Sequence, residues 1–163
     1  MKYKKEIVVI VAFSVLFSFL RYIFLDDFDL IKKKRVIESI DIYDMPDLLT
    51  EPKQIDTKAA YYLFVNKKTI FIDAREEEEY NNGHISGAIN IPYEYYEDFQ
   101  SIIDDLDPTS VYTIYCSGGE CSLSLDLARI LMGEDWAFSK VFVYDGGIME
   151  WENAGFPINK LNE

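Results

Sequence analysis

The stretch 111–132, VYTIYCSGGECSLSLDLARILM, decides the fold. It reads as a buried strand, a tight loop and a helix. Val111, Thr113, Ile114 and Tyr115 are β-branched or aromatic, the residues of a strand covered on both faces. The adjacent glycines Gly118 and Gly119 open backbone conformations closed to other residues. Ser122 is the expected N-cap of a helix in which Leu123, Leu127, Ile130 and Leu131 recur at helical spacing. Cys116 is the last residue before the turn, where loop amides and the positive end of a helix dipole converge. That environment favours a thiolate, which is a nucleophile, and it would cradle an anion attached to the sulfur. A buried, inert cysteine at a strand end is the alternative.

The chain of 163 residues has room for one domain with an appendage. Its charge is unevenly spread. Residues 1–35 carry 8 Lys and Arg against 4 acids, and residues 36–163 carry 8 against 25, a net −17. Such a field repels nucleic acid and opposes the approach of simple anionic substrates. Two cysteines do not make a disulfide framework, and with one histidine in the chain no metal site is expected.

Outward from the central stretch, residues 7–25, IVVIVAFSVLFSFLRYIFL, hold one charge in 19 residues. As a helix they would extend about 28 Å, near the thickness of a bilayer's hydrocarbon core. The expectation is a single-pass membrane anchor. A cleaved signal is the rival, although no small-x-small site follows Leu20, and a buried soluble helix is the third reading. Lys2, Lys4 and Lys5 ahead of the span favour an inside N-terminus and so an extracytoplasmic domain; Lys32, Lys33, Lys34 and Arg35 behind it pull the other way. Residues 1–35 thus form the anchor with basic flanks, 36–53 a linker or irregular extension with Pro46 and Pro52, and 54–163 the folded domain.

Within that domain Asp56 should cap a helix over 57–66, with Ala59, Ala60, Leu63 and Phe64 on one face. Strands are expected at 69–73, 88–91 and 140–144. Helices are expected at 76–82 (closed by Gly83), 93–106 (bent) and 146–154, with Gly155 and Pro157 ending the fold. Strands alternating with helices imply an α/β fold: a parallel sheet with helices on both faces. Sites in this class lie beyond the carboxyl ends of the strands, where Cys116 and Asp73 both fall.

Over residues 54–158 the chain resembles the rhodanese-like domain, the sulfurtransferase family. The stretch FIDAREEEEYNNGHISGAINIP (71–92) is similar to its first signature, YCSGGECS (115–122) to its active loop, and VYDGGIMEWENAGFPI (143–158) to its closing signature. The resemblance implies a rhodanese-like parallel sheet, here preceded by one N-terminal transmembrane helix. It implies a cycle in which a donor passes sulfane sulfur to catalytic Cys116 and an acceptor thiol then removes it. Donor and acceptor would be small molecules or proteins, with no external cofactor. Ser117, Gly118, Gly119, Glu120, Cys121 and Ser122 would form the active-site loop, with Asp73 and Arg75 in supporting roles at its edge, or as a buried structural pair.

One departure matters. Family loops often carry Arg, Thr or Ser at the fifth position after the cysteine; here Cys121 stands there. Losing an Arg removes a grip on anions such as thiosulfate. Gaining a thiol supplies a possible resolving group for a persulfide or sulfenate on Cys116, or else a small tolerated loop residue. Ser122 at the sixth position, where related phosphatases need Arg, disfavours phosphatase chemistry. His84 belongs to a structural turn in the family, and Trp151 reads as core. Two other functions compete with sulfur transfer: a Cys116–Cys121 redox switch, for which loop strain is an obstacle, and a non-catalytic module presenting an acidic surface.

Overall fold

A computed structural model describes residues 48–161, all within one compact unit, Ile37–Glu163. The expected anchor at 7–25 and most of the linker lie outside the described residues. Among the described residues no helix is long and apolar enough to cross a membrane.

The main sheet has five parallel strands: β1 (Lys53–Ile55), β2 (Ile70–Asp73), β4 (Ile89–Asn90), β5 (Val111–Tyr115) and β6 (Lys140–Tyr144). Their spatial order is β1-β6-β5-β2-β4. Helices α1 (Thr57–Val65), α2 (Glu77–Asn82), α3 (Gln100–Asp104), α4 (Leu123–Leu131) and α5 (Gly147–Asn153) connect them. The central strands are apolar on both faces and feed two cores by simple alternation. Tyr112, Ile114, Val141 and Val143 point to one side, against Leu127, Ala128 and Leu131 of α4. Phe71, Tyr115, Phe142 and Tyr144 point to the other, against Ala60 and Leu63 of α1 and Ile148 and Trp151 of α5. Trp151 is fully buried, T-shaped to Phe64 at 5.2 Å, and donates through its indole N–H to the Pro157 carbonyl at 2.9 Å. Burying one such ring stabilises the fold by roughly 3 kcal/mol.

Local signals set most boundaries. Asp56 caps α1, its carboxylate accepting the Ala59 N–H at 2.8 Å. The expected bent helix at 93–106 is a 3₁₀ segment, Tyr93–Phe99, followed by α3; the break falls at Tyr95, whose φ of −132° is not helical. Gly83 follows α2 as expected, but its φ of 162° is extended backbone. What its position demands is a carbonyl turned inward to Arg75.

The structure adds three strands. β1 overlaps the end of the stretch read as linker, and Leu49 before it is buried, its N–H bonded to the Ser139 carbonyl at 2.8 Å. Beyond Pro157 the chain continues as β7 (Ile158–Asn159), antiparallel to β3 (His84–Ile85) in a separate two-stranded sheet. Strands of two or three residues are too short to show a period.

Candidate active site

Register places one residue of each main strand in a single row across the carboxyl edge. Ile55, Tyr144, Tyr115, Asp73 and Asn90 are successive partners. Cys116 is the next residue above the middle of that row. Tyr115 beneath it is pinned twice: its carbonyl accepts the Ala74 N–H at 2.9 Å and its hydroxyl accepts the Ile85 N–H at 3.0 Å. Burial, with the Asp73 charge, drives the Tyr115 hydroxyl far above the usual tyrosine range, so it is a fixed neutral group.

Cys116 is 2 % exposed. Its sulfur lies 3.5 Å from the hydroxyl of Ser124, a buried residue in the first turn of α4. Ser122 is the N-cap position, as expected, but its side chain makes no capping bond. The Ser122 carbonyl takes the Leu125 and Asp126 N–H groups, both at 3.0 Å, which leaves the Leu123 and Ser124 amides of the first turn facing the helix start.

Backbone contacts fasten the first half of the loop 117–122. The Cys116 and Ser117 carbonyls accept the N–H groups of Ile148 and Met149, at 2.9 and 3.3 Å, from the start of α5. Gly118 and Gly147 both take positive φ, +97° and +58°, and each lies directly on the opposite backbone. A Cβ on Gly118 would strike the Gly146 carbonyl, and one on Gly147 would strike Gly118, Cys116 and Ser117. Gly119, φ +69°, faces open space, and Glu120 is exposed.

The sulfurs of Cys116 and Cys121 are bonded to each other. The structure thus holds the loop oxidised, where sequence reasoning expected a free Cys116 thiolate. The two Cα atoms are 6.6 Å apart, at the upper end of the span disulfides use. Since a bonded sulfur carries no hydrogen, the Ser124 hydroxyl is the donor to Cys116. Cys121 is half-buried, more open than its partner.

Asp73 and Arg75 are brought together but turned to each other. The guanidinium donates to both carboxylate oxygens, at 3.0 and 2.6 Å, and to the Gly83 carbonyl at 2.8 Å. Burial works against the charge on Arg75, but the hydrogen bonds and charge of Asp73 more than offset it and raise its pKa. Arg75 also borders a cleft of about 290 Å³ with Glu79, Asn82, Gly83, Ile148 and Glu152. The active loop does not line that cleft. His84 is buried, stacked on Tyr80 at 3.7 Å, its Nδ1–H donated to the Tyr80 carbonyl at 2.8 Å. These contacts make it a structural residue.

Sequence reasoning missed two parts of the site. Ser124 carries a readable signal, a polar residue at the spacing of apolar Leu127, Ala128 and Leu131. Gly147 was visible as half of a Gly-Gly pair, but not as the surface on which the loop rests.

Comparison with known proteins agrees with this architecture. A helix-turn-helix-type transcriptional regulator of Mycobacterium tuberculosis is 37% identical over 90 residues, which is 55% of this chain and 37% of the regulator. The chain therefore corresponds to little more than a third of that relative's length. Thiosulfate sulfurtransferase 18 of Arabidopsis thaliana is 28% identical over 107 residues, 57% of this chain and 74% of that protein. The solution structure of a rhodanese-like domain from the Anabaena protein Alr3790 superposes with a TM-score of 0.53 at 26% identity, covering 66% of this chain and 78% of the other. The sequence model of the rhodanese-like domain matches residues 57–154, and the chain belongs to that family.

Proposed function

We propose that this protein is a rhodanese-like sulfurtransferase, tethered to a membrane by residues 7–25, in which Cys116 carries the transferred sulfur. The observation that supports it most is the position of the Cys116 sulfur, at the carboxyl edge of β5, facing Ser124 and the first turn of α4. In the reduced protein that setting stabilises a thiolate through the hydroxyl, the loop amides and the helix dipole together. The thiolate attacks the sulfane sulfur of a donor; the donor's sulfur bond breaks and the rest of the donor leaves as an anion. An acceptor thiolate then attacks the outer sulfur of the Cys116 persulfide and releases Cys116 as thiolate. Where a loop Arg is absent and the surrounding surface is acidic, persulfide donors suit the site better than thiosulfate. Asp73 and Arg75 act by holding the Gly83 carbonyl and the Tyr115 ring at the edge of the site, and Cys121 acts as a resolving thiol.

The test uses the full chain, reduced and desalted, then treated with thiosulfate, inorganic polysulfide or glutathione persulfide. Intact mass should rise by one sulfur atom, and Cys116→Ser should abolish the gain. No adduct from any donor refutes the reading. The bridge observed between Cys116 and Cys121 favours one second reading, a thiol redox switch without sulfur transfer, which the same refuting result would leave standing. For the tether, the full chain should resist alkaline extraction from membranes, and deletion of residues 7–25 should release it.

A further inference from the structure

We infer that Cys121 makes this protein a hydrosulfide-releasing persulfide reductase, renewed by a dithiol reductant that enters at Cys121; this rests on the Cys116 persulfide reading above. The bridged loop is the product that an internal resolving step would leave. With a hydropersulfide on Cys116, the Cys121 thiolate attacks the inner sulfur, Cys116 Sγ. The Cys116 Sγ–Cys121 Sγ bond forms, the bond between Sγ and the sulfane sulfur breaks, and that sulfur departs with its proton as hydrosulfide. The sulfane sulfur gains two electrons, and the two cysteine sulfurs lose them. The loop needs no large movement for this step, because its Cα atoms already stand at bridging distance.

Burial fixes how the bridge is reopened. Cys116 is 2 % exposed and Cys121 is half-buried, so an incoming thiolate meets Cys121 first. Attack there joins the reductant to Cys121 and expels Cys116. The leaving sulfur is the one that Ser124 and the α4 amides stabilise as an anion, and lower basicity speeds its departure. The reductant's second thiol then attacks its own bonded sulfur, frees Cys121 and leaves as a disulfide. A protein dithiol of the Cys-x-x-Cys class supplies both thiols.

The experiment treats reduced full-length chain with inorganic polysulfide, desalts it and maps both cysteines by mass. Cys121→Ser should hold one extra sulfur on Cys116, and that adduct also certifies an intact loop. The unaltered chain should instead end two hydrogens lighter, bridged, with one hydrosulfide released per chain. An extra sulfur retained on Cys116 beside a free Cys121, or found on Cys121, overturns this inference and leaves the Cys116 reading intact. Absence of the adduct in Cys121→Ser refutes both. In the second arm, thioredoxin lacking its second cysteine should be trapped on Cys121 of the bridged chain. Trapping on Cys116 overturns the assigned entry point.

Discussion

Replacing Gly147 with Ala separates backbone contact from backbone freedom. Its positive φ alone costs an alanine about 1–2 kcal/mol. In addition, the new Cβ would lie 2.5 Å from the Cys116 carbonyl oxygen and 2.6 Å from the Ser117 carbonyl carbon. Either the loop or the start of α5 must move, and the Ile148 and Met149 hydrogen bonds to that loop stretch or break. At about 1 kcal/mol each, their loss brings the total to about 3–4 kcal/mol, a large share of a typical domain stability of about 5–15 kcal/mol. Gly119→Ala is the matched control, since Gly119 has the same sign of φ with nothing near its Cβ; it should cost only that backbone term, about 1–2 kcal/mol. Urea unfolding of both full-length variants gives the difference, and alkylation of reduced Cys116 reports whether the loop has shifted. Equal destabilisation of the two variants, with unchanged Cys116 reactivity, would refute the interlock of loop and helix.

Three further outcomes follow from the same geometry. Asp73→Asn leaves the buried Arg75 without its counter-charge and should cost about 3–5 kcal/mol in urea unfolding, part of it recovered in Asp73→Asn/Arg75→Leu. Ser124→Ala removes a donor to the Cys116 sulfur and should slow alkylation of the reduced thiol at neutral pH roughly 5-fold, with the pH profile displaced upward. Burial, helped by the charges of Glu150 and Asp56, raises Tyr144 from 10.0 to about 12. A group held neutral in this way contributes stability that is complete below pH 10 and fades as pH climbs through about 12. Tyr144→Phe should therefore lose about 1 kcal/mol at neutral pH, from its hydrogen bond to Thr57, and show a shallower alkaline decline.

The parallel sheet was legible because its central strands, 70–73, 111–115 and 140–144, are predominantly apolar runs and Asp56 marks the helix that leads into the first of them. The place of Cys116, at the end of β5 before the two glycines, was legible for a related reason: the apolar strand stops where the glycines begin. What escaped was set by contacts distant in sequence. β1 is a strand only because β6 lies beside it, and β3 only because Ile158 and Asn159 return to it. The inward carbonyl of Gly83 depends on Arg75, and the purpose of Gly147 depends on Gly118. The oxidation state of the loop was open in principle, since residue types fix that two thiols can meet, not that they have.

The double pinning of Tyr115 gives the redox loop one stationary end. Cys116 is attached to a residue clamped by its carbonyl and its hydroxyl at once, whereas Gly119, two residues before Cys121, has nothing within 4 Å of where a Cβ would stand. Any rearrangement that accompanied opening of the bridge would then fall on residues 119–122 rather than on Cys116.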